Sequence, residues 1–217
     1  MNVTRIVAAL VAVGFVAGSA MAQTKAAAPA AGTEGGFLKQ GTIEYGGSFG
    51  YSSMNVDQRS SSVGGNLSVL KAVAEADYFV IDNLSVGLAA NVDWVRGDLG
   101  GVPLVGGGIA NATLVYGELV GRYHFPLCND RIIPYVGASV GAGYGMATIN
   151  LPLALGGGKL EADDTLTSYG VQAGFLVPLN ANVSLDTCVK YTSYQLPRAW
   201  HTDLDSTQVL MGFKMKL

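Results

Sequence analysis

Charge is scarce in this chain. Asp, Glu, Lys and Arg make up 13% of its 217 residues, about half the usual share. Neither sign dominates. The formal net charge is −3 and the pI about 5.3, which leaves no basic footprint for nucleic acid. Long apolar runs are also missing. Beyond residue 22 no stretch could span a bilayer as a helix, so a membrane role would require a barrel. What the chain does have is glycine, 30 residues, about twice the usual share. Together with a mean hydropathy of +0.33, this excludes disorder, which needs low hydrophobicity. It suits β structure facing lipid, with small residues where strands crowd.

Residues 1–22 read as a secretory signal peptide. Arg5 supplies the basic start, residues 6–16 the apolar stretch, and Ala20-Met21-Ala22 the small-x-small cleavage site. Residues 23–40 read as a flexible periplasmic tether rich in Ala, Pro and Gly. Residues 41–217 are expected to form the folded unit.

The last stretch of that unit is the most regular. Val209, Met211, Phe213, Met215 and Leu217 share one parity, while Gln208, Lys214 and Lys216 share the other. Such alternation marks a strand with one apolar and one polar face. An apolar strand at the end of the sequence is expected to close a barrel against the first strand, because an open edge invites aggregation. Similar alternation recurs at about residues 41–53, 84–95, 111–125, 133–145, 165–177 and 183–194. A second strand descends to about Phe79. In it Leu67 and Val69 share a parity with Lys71, Glu75 and Asp77, so either a bulge lies near Leu70 or only the lower half is embedded. Asp82-Asn83 predicts a tight turn. Connectors at 81–83, 126–131 and 178–182 are short, and those at 56–61, 96–110, 146–164 and 195–205 are mostly long. Short turns at one end and long loops at the other fit an all-β, eight-stranded antiparallel up-and-down transmembrane β-barrel.

Alternation alone does not say which face points inward. A soluble barrel such as a lipocalin buries its apolar face, but that family has a Gly-x-Trp in its first strand, and this chain has no Trp there. The apolar parity carries aromatics near strand ends (Trp94, Tyr123, Phe125, Tyr144, Tyr169, Tyr191), as interfacial girdles do. The polar parity carries Glu44, Glu118, Arg122, Asp186, Lys190 and Lys214. Charges of both signs can pair inside a narrow lumen, so these six are expected to form a structural network across the barrel. An ion gate is the other reading of the same residues.

Three segments resemble a known group. Asp77-Tyr78-Phe79-Val80-Ile81-Asp82-Asn83-Leu84-Ser85-Val86-Gly87-Leu88 resembles a hairpin turn of the small bacterial outer-membrane barrels. Gly121-Arg122-Tyr123-His124-Phe125 and Pro134-Tyr135-Val136-Gly137-Ala138 resemble its fourth and fifth strands. The group includes the OmpA transmembrane domain, OmpX and OmpW, and the likeness runs from Gly41 to Leu217. It implies a Gram-negative outer membrane, contact with its lipid and lipopolysaccharide, and assembly by periplasmic chaperones and the barrel insertion machinery. It also marks Val209, Met211, Phe213, Met215 and Leu217 as the C-terminal insertion signal, although the group commonly ends in Phe. No peptidoglycan-binding domain is expected after the barrel, and no cell-wall anchoring role.

Few other residues could carry chemistry. Cys128 and Cys188 are exported to an oxidising compartment. They either form a disulfide folding the turn under the barrel or remain two separate thiols. His201, Asp203, Asp205 and Ser206 form the one cluster resembling a hydrolase or metal site. It lacks the His-x-Ser pair of lipid A deacylases and reads as a hydrated loop. His124 is expected to partner Glu118 in the lumen. Residues 156–160 look like the tail of a phosphate loop but lack its context. The apolar stretches 102–105 and 151–155 either cover one another or form a contact surface. No catalytic, cofactor or metal residues are expected, and no nucleic-acid partner. The chain reads as a monomeric, non-enzymatic outer-membrane barrel with a structural or surface-interaction role. Passage of small hydrophobic solutes and lipid A modification are the alternatives.

Overall fold

The computed structural model describes residues 38–57, 64–99, 108–125, 131–151, 158–195 and 203–217. They form eight strands: β1 (Ile43–Asp57), β2 (Gly64–Ile81), β3 (Leu84–Leu99), β4 (Gly108–His124), β5 (Ile133–Leu151), β6 (Gly158–Pro178), β7 (Val183–Gln195) and β8 (Asp203–Lys216). Each pairs antiparallel with its sequence neighbour, and β8 closes on β1, with Tyr45 opposite Met215 and Phe49 opposite Met211. The barrel therefore has no open edge through its body.

The turn at Asp82-Asn83 joins β2 to β3, and Asn83 adopts a positive φ of 67°. Asn tolerates that left-handed conformation because its short side chain can bond locally. β2 is continuous. Its pairing with β1 runs unbroken from Asp57↔Gly64 to Ile43↔Tyr78, and the one register shift against β3 lies between Phe79 and Ile81. The bulge considered near Leu70 is therefore not there. Val69 is simply an apolar residue on the inward face, buried beside Lys71, while Leu70 points outward.

The expected long loops at 96–110 and 146–164 run as strand at both ends, over 96–99, 108–110, 146–151 and 158–164, and 100–107 and 152–157 lie outside the described residues. β3 and β4 stay paired to Leu99↔Gly108, and β5 and β6 to Leu151↔Gly158. Backbone groups that would otherwise need water are satisfied by the ladder.

The faces divide cleanly. Phe49, Leu88, Leu119, Val140, Val171, Met211 and Phe213 project outward, Phe49 and Leu88 each 69% exposed. Nine outward aromatics fall in two rings: Tyr51, Trp94, Tyr144, Tyr169 and Tyr191 at one end, and Tyr78, Tyr123, Phe125 and Phe175 at the other. The strand stretches between the rings, about nine residues at about 3.3 Å each and a tilt of about 40°, span roughly 20 Å. Two phenols of the first ring find polar partners. Tyr51 OH shares a hydrogen bond with Ser68 Oγ (3.1 Å), and Tyr144 OH donates to Asp163 Oδ2 (2.6 Å). An amphipathic ring at a water–hydrocarbon boundary behaves this way. Among the described residues no helix is long and apolar enough to cross a membrane.

Candidate functional site

The inward face carries the chain's concentrated chemistry. It is filled in layers, and the fill depends on glycine. A Cβ at Gly137 would press on Arg122 Cγ (3.0 Å) and Gln172 Cγ (3.2 Å), and one at Gly141 on Glu118 Cγ (2.7 Å) and Ser168 Oγ (2.7 Å). A Cβ at Gly174 would meet Cys188 Cβ (2.5 Å) and Tyr135 Cζ (2.8 Å). Small positions thus leave room for long ones from neighbouring strands, which is how an eight-stranded interior accommodates charged side chains.

The layer nearest the Trp94 ring centres on Asp93. It accepts from Tyr194 OH (2.7 Å) and Tyr116 OH (3.0 Å) and lies 3.6 Å from Lys71 Nζ. Lys71 Nζ also donates to Tyr116 OH and sits 5.0 Å from that ring's centre. The two tyrosine rings meet edge to face at 5.7 Å, and Leu166 and Leu114 pack against them. Below lies Glu118, which accepts from Lys190 Nζ (2.5 Å), Asn91 Nδ2 (2.9 Å) and Ser139 Oγ (3.0 Å).

The third layer is the densest. Arg122 Nη1 donates to both Asp77 oxygens (2.7 and 2.6 Å), and Nη2 pairs with Glu75. Lys214 Nζ bridges the same carboxylates, Asp77 Oδ2 at 2.6 Å and Glu75 Oε1 at 3.1 Å. Gln172, with its amide oxygen toward the guanidinium, accepts from Arg122 Nε (2.5 Å). Tyr135 OH donates to Asp186 Oδ1 (2.7 Å). At the far end Phe79, Ile133 and Leu176 are fully buried, and the His124 ring lies 5.3 Å from each of Phe79 and Tyr135.

The six residues anticipated as lumen charges are all buried inside the barrel, but they do not form one set. Glu118 pairs with Lys190. Arg122 and Lys214 meet on Asp77 and Glu75. Asp186 is held by Tyr135. Neither carboxylate oxygen of Glu44 has a hydrogen-bond partner among the described residues. Lys71, Glu75, Asp77 and Asp93 complete the network and were not singled out from sequence. Lys71, Glu75 and Asp77 were hidden by the ambiguous pattern of β2, although their parity was readable.

His124 corrects an expectation. It does not reach Glu118. Its Nδ1 lies 3.3 Å from the Asn83 carbonyl oxygen, and its ring packs in the apolar end. It stands at the end of β4, lower than Arg122, so parity gave its face correctly but not its depth. Cys188 is a free, buried thiol, whereas Cys128 lies outside the described residues. The same holds for His201, the apolar stretch 102–105, and 152–157, which takes in most of the apolar stretch 151–155 and part of the glycine run. Among the described residues no group of His, Cys, Asp and Glu is placed to hold a metal ion. The five residues proposed as the insertion signal, Val209, Met211, Phe213, Met215 and Leu217, all point outward.

No family model and no curated protein matches the chain. Solved structures do. Neisserial surface protein A is 20% identical with a TM-score of 0.52, covering 82% of this chain and 98% of its own. The outer membrane protein OprG from Pseudomonas aeruginosa is 18% identical with a TM-score of 0.54, covering 83% and 97%. The closed eight-stranded architecture found in this chain is thus one it shares with small outer-membrane barrels.

Proposed function

We propose that this chain is a non-enzymatic barrel of the Gram-negative outer membrane, with a structural or surface-interaction role and a lumen that serves as its core. The observation that carries the reading is the inversion of its faces. Leu88 and Phe49 are open to the surroundings, while Lys71 is 0% and Arg122 4% exposed inside. Hydrocarbon outside makes the outward residues favourable, and mutual pairing makes the inward charges tolerable. The export signal in residues 1–22, assembly by periplasmic chaperones and the insertion machinery, contact with lipopolysaccharide, and a monomeric state follow from this reading.

The lumen's ion pairs are read as a plug rather than a gate. Each layer joins strands across the interior by direct side-chain contacts: Tyr194 on β7 to Asp93 on β3 (2.7 Å), Lys190 on β7 to Glu118 on β4 (2.5 Å), and Arg122 on β4 through Asp77 to Lys214 on β8 (2.6 Å each). Cell fractionation with a heat-modifiability gel tests location and fold: a band in the outer-membrane fraction that shifts on boiling is expected. Planar-bilayer recording of the pure protein tests the plug. Near-zero steady conductance is expected, and large steady conductance would show an open lumen.

Passage of small hydrophobic solutes is the second reading. It is favoured by the apolar cluster of Leu114, Tyr116, Leu166 and Tyr194 in the layer nearest the Trp94 ring. A deletion strain that loses growth on hydrophobic substrates would support it over the first.

A further inference from the structure

Beyond the Trp94 ring the strands stop at different levels. β7 and β8 stop first: Gln195 faces Asp203, and β6 pairs with β7 only from Thr167↔Gln195 onward. On its other side β6 stays paired with β5 as far as Leu151↔Gly158. Residues 158–166 of β6 therefore have a ladder partner on one side and, among the described residues, none on the other. In an antiparallel ladder every second residue turns both its N–H and its C=O away from a given neighbour. The free side of β6 is thus a row of unpaired donors and acceptors, about 30 Å long at about 3.3 Å per residue.

The adjoining connector is too short to line this row. Residues 196–202 join Gln195 to Asp203, which face each other in the ladder. A stretch that must climb and return in so few residues rises by about three of them, roughly 10 Å. A second copy fits badly as well. Antiparallel pairing of two copies about Ala162 would set Glu161 opposite Asp163, and facing like charges destabilise a sheet. What does fit is indicated by charge. The row reads Gly-Lys-Leu-Glu-Ala-Asp-Asp-Thr-Leu, three acids against one lysine. Asp163 is exposed on the outward face, where it accepts from Tyr144 OH (2.6 Å), and Asp164 accepts from Thr165 N (2.7 Å) on the parity of inward Leu166. Asp205 is exposed near the start of β8. Among the described residues none of these three aspartates is in an ion pair.

We propose that the free side of β6 at residues 158–166 is a docking edge that takes an extended, basic polypeptide strand of a partner protein. Ladder hydrogen bonds to the β6 backbone hold the incoming strand, and side chains set its specificity. Asp163 and Asp164 stand on opposite faces of β6, so two successive basic residues of the partner, one on each face, would meet them. Opposite charges facing each other across a ladder stabilise the pair. That the edge is presented outside the cell rests on the proposed function; the free edge itself does not.

The probe is a short fluorescent peptide of alternating Thr and Val with two adjacent lysines at its centre, added to the detergent-folded protein. Saturable binding by anisotropy is expected, and hydrogen exchange should slow at the amides of 158–166 and not elsewhere. Glutamates in place of the lysines should weaken binding about tenfold. So should a central proline with the lysines kept, because proline removes a ladder donor. The double variant Asp163→Asn, Asp164→Asn should bind the lysine peptide several-fold more weakly, and a boiling-dependent gel shift verifies that it is a folded barrel. If the proline peptide binds as tightly as the original, the contact is charge alone and the proposal fails. It fails equally if no peptide binds, if protection appears elsewhere, or if all the amides of 158–166 are already protected in the free protein. Because binding is read in detergent, failure here leaves the outer-membrane reading standing. Failure of that reading in fractionation leaves the docking edge standing.

Discussion

The pair formed by Glu118 and Lys190 is the best place to measure what the lumen contributes. Replacing Lys190 by Met leaves a buried carboxylate that keeps its bonds from Asn91 (2.9 Å) and Ser139 (3.0 Å) but loses its contact cation at 2.5 Å. At an effective dielectric near 20, two charges about 4 Å apart attract by about 4 kcal/mol. Breaking a buried pair on one side typically costs about 3–5 kcal/mol. Lys71 is a second cation close enough to act on Glu118, which places the expected cost at the lower end, about 3 kcal/mol. With a urea slope of about 2 kcal/mol/M, the unfolding midpoint should fall by about 1.5 M. Adding Glu118→Gln removes the stranded charge and keeps a side chain for Asn91 and Ser139. The double variant should therefore be more stable than Lys190→Met alone, with a coupling of about 2 kcal/mol. Urea titration in lipid vesicles, followed by Trp fluorescence, reads all four corners of the cycle. Additive costs, or a double variant weaker than both singles, would refute the view that the lumen is held by charge pairing.

Three further outcomes follow. Glu44 faces Asp77 across the β1–β2 ladder and Lys216 across the β1–β8 ladder, and neither of its oxygens is hydrogen-bonded among the described residues. A buried carboxylate without hydrogen bonds is costly to keep charged, so Glu44→Gln should raise the urea midpoint by about 1 kcal/mol equivalent; a lower midpoint would mean that attraction to Lys214 and Lys216 outweighs that cost. Glycines on the two faces should respond oppositely. A Cβ at Gly143 would overlap Tyr116 Cβ and the Val115 carbonyl, whereas one at Gly121 meets nothing within 4 Å. Gly143→Ala is expected to cost about 1–3 kcal/mol, and Gly121→Ala to be neutral or slightly stabilising because it restrains the unfolded chain, both read by the same titration. Arg122→Met leaves Asp77 and Glu75 with Lys214 as the cation paired to both; it should be the most damaging single lumen change, by about 3–5 kcal/mol, and a midpoint close to the parent's would show that Lys214 suffices.

Parity in the sequence gave the faces of the barrel but not the contacts within it. Alternation placed Glu118, Arg122, Asp186, Lys190 and Lys214 inside and Val86, Val189 and Phe213 outside, and the structure agrees. Pairing inside is another matter. In the ladder Glu118 faces Ala89 and Gly141, yet its cation stands on β7, well round the barrel. Likewise Lys214 meets Asp77, 137 residues away in sequence. Strand tilt and stagger decide which depths coincide, and neither is written in a local pattern. The same gap explains His124, whose parity was right and whose depth was not. It also explains Tyr116, Tyr135 and Tyr194. The six aromatics expected at the girdles, Trp94, Tyr123, Phe125, Tyr144, Tyr169 and Tyr191, do point outward, while these three turn inward and spend their hydroxyls on Asp93 and Asp186. The strand extensions into 96–110 and 146–164 are not legible because Gly97, Gly108 and Gly158 read as loop, while ladder hydrogen bonds hold the backbone regardless of side chain.

The most direct test of the account is surface labelling in a bilayer. A lipid-soluble photoactivatable carbene reagent, applied to the vesicle-embedded protein and mapped by peptide mass spectrometry, should mark Val86, Leu88, Val140, Met211 and Phe213 and leave Glu118, Arg122 and Lys190 untouched. Labels on the charged set, with the aliphatic set spared, would turn the barrel inside out and contradict the membrane reading.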